Sequence, residues 1–276
     1  MQEGRFSWTA LSVAAHRAAH QILEDGAIFK DPFARAILGP DGDSILAERS
    51  GLHAAPLRLF VAARARFAED SLAQAIARGV RQAVVVGAGL DTLALRRPHP
   101  ELQVFEVDHP DTQAFKRHCL ERAGLSIPSS LTFAPVDFER ESLGDGLAKA
   151  GLDRARQVFF IWLGVVPYLT RAAVLSSLEV MAALPASEVV FDYSEPLENY
   201  PPEARTRVEQ MAARAAQAGE PWLSYFDPPE IARLLTSHGF DEIEDLGPSD
   251  IAARYLDRAG EPRRAGAHVL RARKLQ

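Results

Sequence analysis

Three short segments carry residue types suited to holding a nucleoside-bearing ligand. In QAVVVGAGLDT, residues 82–92, an apolar run ends in Gly87-Ala88-Gly89. Glycines at the carboxyl end of a first strand admit positive φ and, lacking Cβ, let a ligand approach the backbone. The next run, QVFEVDHP, ends in Glu106 and Asp108, and Asp108 lies 21 residues beyond Gly87. An acid about that far along can accept hydrogen bonds from both ribose hydroxyls. The third run, LTFAPVDF, ends in Asp137-Phe138, where a carboxylate can take an adenine amino group and the neighbouring amide or ring can meet the base. The third glycine of the dinucleotide fingerprint is missing, because Thr92 holds its place, which weakens the case for a pyrophosphate on a helix N-terminus. Glycine, acid, acid with no phosphate-binding arrangement suits S-adenosyl-L-methionine better than NAD, since a sulfonium tolerates an acidic surround. Taken singly, G-x-G is also the mark of a tight strand-to-loop turn, and acids follow strands wherever loops are wet; the joint spacing favours a site.

The elements that must position these residues alternate. Apolar runs at 82–86, 103–107, 131–136, 158–163 and 188–193 read as strands, separated by helical stretches such as 111–123 and 170–184. Strands alternating with helices predict parallel βαβ units in an α/β, doubly wound, mostly parallel sheet. Before them, residues 1–80 form an N-terminal helical cap: Thr9 caps a helix through His20, Asp31-Pro32 opens another, and 56–78 is a long amphipathic pattern. The core then covers 81–276, with Pro196, Pro201, Pro202 and Pro221 flanking an Ala-rich helix at 203–217 in a C-terminal lid insertion, about 195–228. A helix at 229–238 capped by Gly239, then strands at 240–246 and 268–274, close the chain, the last two suited to an antiparallel pair at a sheet edge.

Composition narrows the partners. The chain has 276 residues, 47% hydrophobic and 25% charged, with a formal net charge of −6. That is an ordinary globular mixture, and it gives no basic surface for a nucleic-acid polyanion. The 12-residue apolar run at 158–169 is shorter than the roughly 20 residues a spanning helix needs, so no membrane is expected. The single cysteine, Cys119, supplies neither an intramolecular disulfide nor a multi-thiolate metal site. These readings predict a cytoplasmic protein acting on a small molecule; the oligomeric state is unknown from sequence.

The chain resembles the leucine carboxyl methyltransferase-like, bacterial and actinobacterial branch of class I S-adenosylmethionine-dependent methyltransferases. The resemblance rests on TALSVAAHRAAH, DPFA at 31–34, FVAARARF, VVVGAGLDTLALR, FEVDHP, PVDF and WLGVVPYLT, and covers roughly 9–196. It implies a Rossmann-like class I fold, an S-adenosyl-L-methionine cofactor lined by Gly87 and Gly89, ribose on Asp108, and adenine against Asp137 and Phe138. It also implies an arginine for the cofactor carboxylate: Arg64, with Arg66 as rival and Arg17 as a further contact. One departure matters. Many relatives have Glu at the end of the fourth strand where this chain reads Trp162-Leu163-Gly164, so Trp162 or backbone groups must substitute.

The expected activity is O-methyl transfer to a carboxylate or hydroxyl of a small metabolite. Tyr168, Tyr193, Tyr200 and Tyr225 with lid residues Arg205 and Arg207 are candidate substrate contacts, each with ordinary packing or a solvated face as the plainer account. The catalytic residues are unknown, and the alternatives are an NAD(P)-dependent oxidoreductase and a non-catalytic cofactor-binding scaffold or regulator. No metal site is expected: His16 and His20 are spaced i, i+4 but lack a third ligand and read as helix-surface residues. His109, before Pro110, reads as a loop residue with ribose as the sharper option, and His238 as a helix-end imidazole. FDPPE at 226–230 is similar to the Asp-Pro-Pro-aromatic motif of amino methyltransferases, but it precedes a late helix, and Asp227 with its prolines reads as helix initiation.

Overall fold

The computed structural model describes residues 7–39, 42–96, 99–138, 140–217, 219–260, 262 and 264–275. Along the chain run α1 (Trp8–Leu23), α2 (Gly42–Arg49), α3 (Ala55–Ala77), β1 (Gln82–Val86), α4 (Leu93–Arg96), β2 (Gln103–Asp108), α5 (Pro110–Arg122), β3 (Leu131–Pro135), α6 (Leu143–Lys149) and β4 (Val158–Trp162). They are followed by α7 (Arg171–Ala182), β5 (Glu188–Ser194), α8 (Pro202–Gln217), α9 (Pro228–Ser237), β6 (Glu242–Leu246), α10 (Pro248–Tyr255) and β7 (Ala267–Arg273). The strands form one seven-stranded sheet in the order β3-β2-β1-β4-β5-β7-β6. The doubly wound, mostly parallel α/β reading of the sequence describes this fold.

The chain divides into two compact units, residues 1–69 with 87–152 and residues 70–86 with 153–276. In the first, β2 and β3 pair in parallel from Val104↔Leu131 to Asp108↔Pro135. Its core joins the alanine-rich face of α1 (Ala14, Ala15, Ala18, Ala19) to Ile37, Leu38, Ile45 and Leu46, and to Leu90, Cys119 and Leu120. Small side chains let these backbones approach closely. Ser7 caps α1, its hydroxyl accepting the Ala10 amide at 3.1 Å.

The expected helix at Asp31-Pro32 does not form. Turns occupy 32–35, and only a 3-10 turn, Ala36–Leu38, precedes Gly39 at φ 75°. The Asp31 carboxylate takes the Phe33 amide at 3.1 Å, a local side-chain bond that competes with helix.

In the second unit β1 and β4 pair in parallel from Gln82↔Val158, and β4 and β5 from Phe159↔Glu188. Every residue of β1, β4 and β5 is buried, which is why these strands read as near-continuous apolar runs. The expected antiparallel close is present: β7 pairs with β5 and with β6. β6 carries Glu242, Glu244 and Asp245, charges that protect an edge from further pairing. Helix α8 buries none of its residues. Thr170 caps α7. Asp227 stands at the N-cap of α9 but makes no side-chain cap bond; its Oδ1 accepts from Asn199 at 2.7 Å instead.

Candidate functional site

The glycine loop follows β1 and turns at Gly87 (φ 65°) and Gly89 (φ 49°). The amides of Gly87 and Ala88 both donate to the Val107 carbonyl, at 2.8 and 3.1 Å, which ties the loop to β2. Gly89 is needed twice over: its φ disfavours a side chain, and a Cβ there would lie 2.8 Å from the Ala10 Cβ of α1. Asp108 closes this corner. Its Oδ2 accepts the Gly89 amide at 2.6 Å and its Oδ1 the His109 amide at 2.7 Å. Burial lifts its pKa although both amides favour the charged form. A carboxylate has about four acceptor positions, so Asp108 keeps capacity for a further donor pair.

The Val136 amide donates to the Asp108 carbonyl at 2.9 Å, so the ends of β2 and β3 are joined. Beyond, the Asp137 carbonyl takes the amides of Arg140 and Glu141, its carboxylate lies 3.5 Å from Arg140 Nε, and Phe138 is 43% exposed. Gly87, Gly89, Asp108, Asp137 and Phe138 thus share one unit and one set of strand ends. Arg64 lies in α3, buried, its guanidinium 5.6 Å from the Phe60 ring. Arg66 reaches the Ile28 carbonyl at 3.5 Å.

Of the polar side chains of α1, His16 and His20 lie elsewhere than the sequence suggested. Arg17 points at protein groups: Nε donates to Asp31 at 3.1 Å, Nη2 to the Leu90 carbonyl at 2.5 Å, and Nη1 lies 3.9 Å from Asp91. His16 and His20 are buried rather than on a helix surface, because α1 is packed on more than one side. Burial, reinforced by Arg49, Arg58 and Arg64, pushes His16 down to about 3. His20 accepts the Ile28 and Phe29 amides at Nε2, so Nδ1–H donates to Glu24 at 3.0 Å. His109 caps α5, accepting the Asp111 amide, and His238 Nδ1 meets the Leu234 carbonyl at 2.7 Å at the end of α9.

Sequence reasoning gave no separate role to the charges behind the loop. Glu106, fully buried, pairs with Lys116, and burial still raises it to about 7. Asp91 accepts the Leu93 amide at 2.6 Å and so places a carboxylate at the start of α4. Burial opposes that charge, but Arg17, Arg96 and Lys116 hold it below the usual carboxylate range. The available signal was Asp91 two residues beyond Gly89.

In the second unit Trp162 is fully buried at the end of β4, its ring 6.0 Å from Phe191, and its indole N–H finds no partner among the described residues. The Gly164 amide donates to Asp192, a buried acid of β5 that sequence reading did not single out. Tyr193 is sealed: its hydroxyl donates to Asp245 at 2.6 Å and its ring stacks on His268 at 4.9 Å. Tyr168 and Tyr225 are half-buried, and burial raises the Tyr225 phenol. Burial pushes the Tyr200 phenol well above its ordinary value, with Glu195 and Tyr225 adding to it. Arg205 donates to the carbonyls of Leu197 and Glu198, and Arg207 is exposed on α8. His268 bridges Asp245 (Nδ1, 2.9 Å) and Glu195 (Nε2, 3.0 Å). Among the described residues no group of three His, Cys, Asp or Glu could hold a metal, and no helix is long and apolar enough to cross a membrane.

A mostly parallel sheet of this strand order, with glycine and acid at successive strand ends, is that of a class I S-adenosylmethionine-dependent methyltransferase. The chain belongs to the leucine carboxyl methyltransferase family, which matches residues 10–182. It is 35% identical over 283 residues to the “Putative S-adenosyl-L-methionine-dependent methyltransferase YktD” of Bacillus subtilis, covering 91% of each chain. In fold it is similar to a “putative methyltransferase” from Thermobifida fusca, with TM-score 0.61 and 17% identity over 99% of this chain and 97% of that one. A DUF574 family protein from Streptomyces avermitilis follows, with TM-score 0.55 and 18% identity over 95% and 97%.

Proposed function

We propose that this methyltransferase acts on oxygen, transferring the methyl group of S-adenosyl-L-methionine to a carboxylate or hydroxyl of a small cytoplasmic metabolite. The single observation that carries the cofactor assignment is the pair of carboxylates around the glycine loop: Asp108 on the Gly89 amide and Asp91 on the Leu93 amide. Asp108 retains acceptor positions for two ribose hydroxyls, and Asp91, two residues before α4, sets negative charge against the Leu93 amide at its start. A diphosphate brought there would meet a like charge, whereas a cation would meet an opposite one. When bound, the cofactor supplies an electrophilic methyl group on a positively charged sulfur.

The chain's own groups then bind and orient. Gly87 and Gly89 give backbone access, Asp137 accepts from the adenine amino group, Phe138 offers its exposed ring to the base, and Arg64 takes the carboxylate end. In-line displacement needs alignment and dehydration of the acceptor above all; effective molarity contributes up to roughly 7–11 kcal/mol. A carboxylate acceptor, with a pKa of about 4, is ionised at neutral pH and requires no base; a hydroxyl acceptor requires one. Tyr168 and Tyr225 are half-buried and are proposed to contact the acceptor. Tyr193 is proposed to act there only through packing, since its hydroxyl is committed to Asp245. The net charge of −6 supports a small-molecule acceptor over a nucleic acid.

The test is transfer of labelled methyl from S-adenosyl-L-methionine to a panel of carboxylic, phenolic and amine acceptors. Label in base-labile esters or in stable ethers supports oxygen as the acceptor. Label found only in amines overturns it.

A further inference from the structure

We infer that Asp31 and Thr92 are positioning residues for the cofactor loop, and that the Thr92 hydroxyl replaces the third glycine of a dinucleotide loop as the fastening of the turn. The inference rests on the assignment of the 87–92 loop to S-adenosyl-L-methionine.

Asp31 comes from the segment after α1, 61 residues before Thr92, and both are 1% exposed. Asp31 Oδ2 accepts the Thr92 hydroxyl at 2.8 Å and Arg17 Nε at 3.1 Å; Oδ1 accepts the Phe33 amide at 3.1 Å. Thr92 Oγ1 in turn accepts Arg96 Nε at 2.8 Å. Arg96 pairs with Glu69 and lies 4.7 Å from the Phe29 ring. Arg17 passes the hold forward by donating to the Leu90 carbonyl at 2.5 Å. The loop is therefore gripped at Leu90 through Arg17 and at Thr92 directly, on either side of Asp91, from one buried carboxylate.

Hydrogen bonds aimed at fixed atoms set a geometry that apolar packing does not. Buried ion pairs are weak contributors to stability, and apolar replacements of similar volume often match them. What this network adds is direction. It fixes where the Leu90 carbonyl and the Thr92 hydroxyl stand, hence where the Asp91 carboxylate and the Gly89 amide stand. In a dinucleotide loop, close helix–strand packing at the third glycine does that work; here no glycine is present, and a hydroxyl bonded to a remote acid takes its part.

The experiment is calorimetric titration of S-adenosylhomocysteine into wild-type protein, Thr92→Val, Thr92→Ser and Asp31→Asn, with thermal melts of each. Valine keeps the volume and loses the hydroxyl; serine keeps the hydroxyl and loses the methyl. A positioning role predicts that Thr92→Val weakens binding about tenfold or more while Thr92→Ser stays near wild type. Asp31→Asn is expected to weaken binding at least as much as Thr92→Val. A packing role predicts the reverse order for the two Thr92 variants. Equal affinity of Thr92→Val and wild type, or serine failing where valine succeeds, overturns the inference even if Asp31→Asn does not fold. Wild-type protein that does not bind S-adenosylhomocysteine overturns the cofactor assignment itself.

Discussion

The two compact units use buried charge in different ways. In the first, Arg17, Asp31 and Arg96 surround the 87–92 loop that carries Asp91 and is proposed to face a ligand, and each bond ends on that loop or one step from it. In the second, Tyr193, Asp245, His268, Glu195, Asn199 and Asp227 tie strand ends to the segment leading into α8 and to the start of α9. By our proposal one network positions a binding surface, while the other holds secondary-structure elements together. The comparison teaches that buried polar groups of similar strength can carry affinity in one place and stability in another, and that the atoms at which they end tell which.

The largest expected effect sharpens this contrast from the stability side. Glu195→Ala strands the Gly266 amide and takes one of two partners from both His268 and Asn199, and denaturant melts are expected to show a loss of about 3 kcal/mol with S-adenosylhomocysteine affinity unchanged. A large affinity loss there would erase the distinction between the two networks. Asp108→Ala is the counterpart: it should weaken cofactor binding by about 1–3 kcal/mol, measured by calorimetry, with the fold intact by circular dichroism. An unchanged affinity would remove Asp108 from the site.

Phe138→Ala tests the adenine end. Its ring is already exposed, so stability should hold while S-adenosylhomocysteine affinity drops by about 1 kcal/mol; a melting shift without an affinity change would make the ring a packing residue. The smallest effect is in pH. Burial opposes charge on His268, but the bonds to Asp245 and Glu195 raise its pKa above the ordinary 6.5. Its contribution is therefore full below the unfolded value and lost as pH rises through the folded one. Melts from about pH 6 to about pH 9 should show this decline in the wild type and a flatter profile in His268→Gln. Stability that rises over the same window would contradict a doubly hydrogen-bonded imidazolium.

What the sequence disclosed divides along the same line. Gly87, Gly89, Asp108, Asp137 and Phe138 stand at strand ends within contiguous motifs, so their proximity could be read from spacing and from strand alternation. The strand runs at 82–86, 158–163 and 188–193 were legible because β1, β4 and β5 are buried along their whole length. Asp31 could be seen only as part of a familiar motif, since its partner Thr92 is 61 residues away and no local pattern links them. His16 and His20 misled for a related reason: an i, i+4 pair on a helix looks exposed until tertiary packing closes around it. The short helices α4, α6 and α10 escaped because four to eight residues carry little propensity of their own and form only where packing supports them. Most elusive was the Glu195–His268 contact, 73 residues apart, which no sequence spacing could announce.

The central claim is that the glycine loop and Asp108 receive an adenosyl sulfonium cofactor rather than a dinucleotide. Its most direct test is parallel calorimetric titration of wild-type protein with S-adenosylhomocysteine and with NADH. The account predicts saturable heat from S-adenosylhomocysteine and none from NADH. Saturable NADH binding with silence from S-adenosylhomocysteine would contradict it.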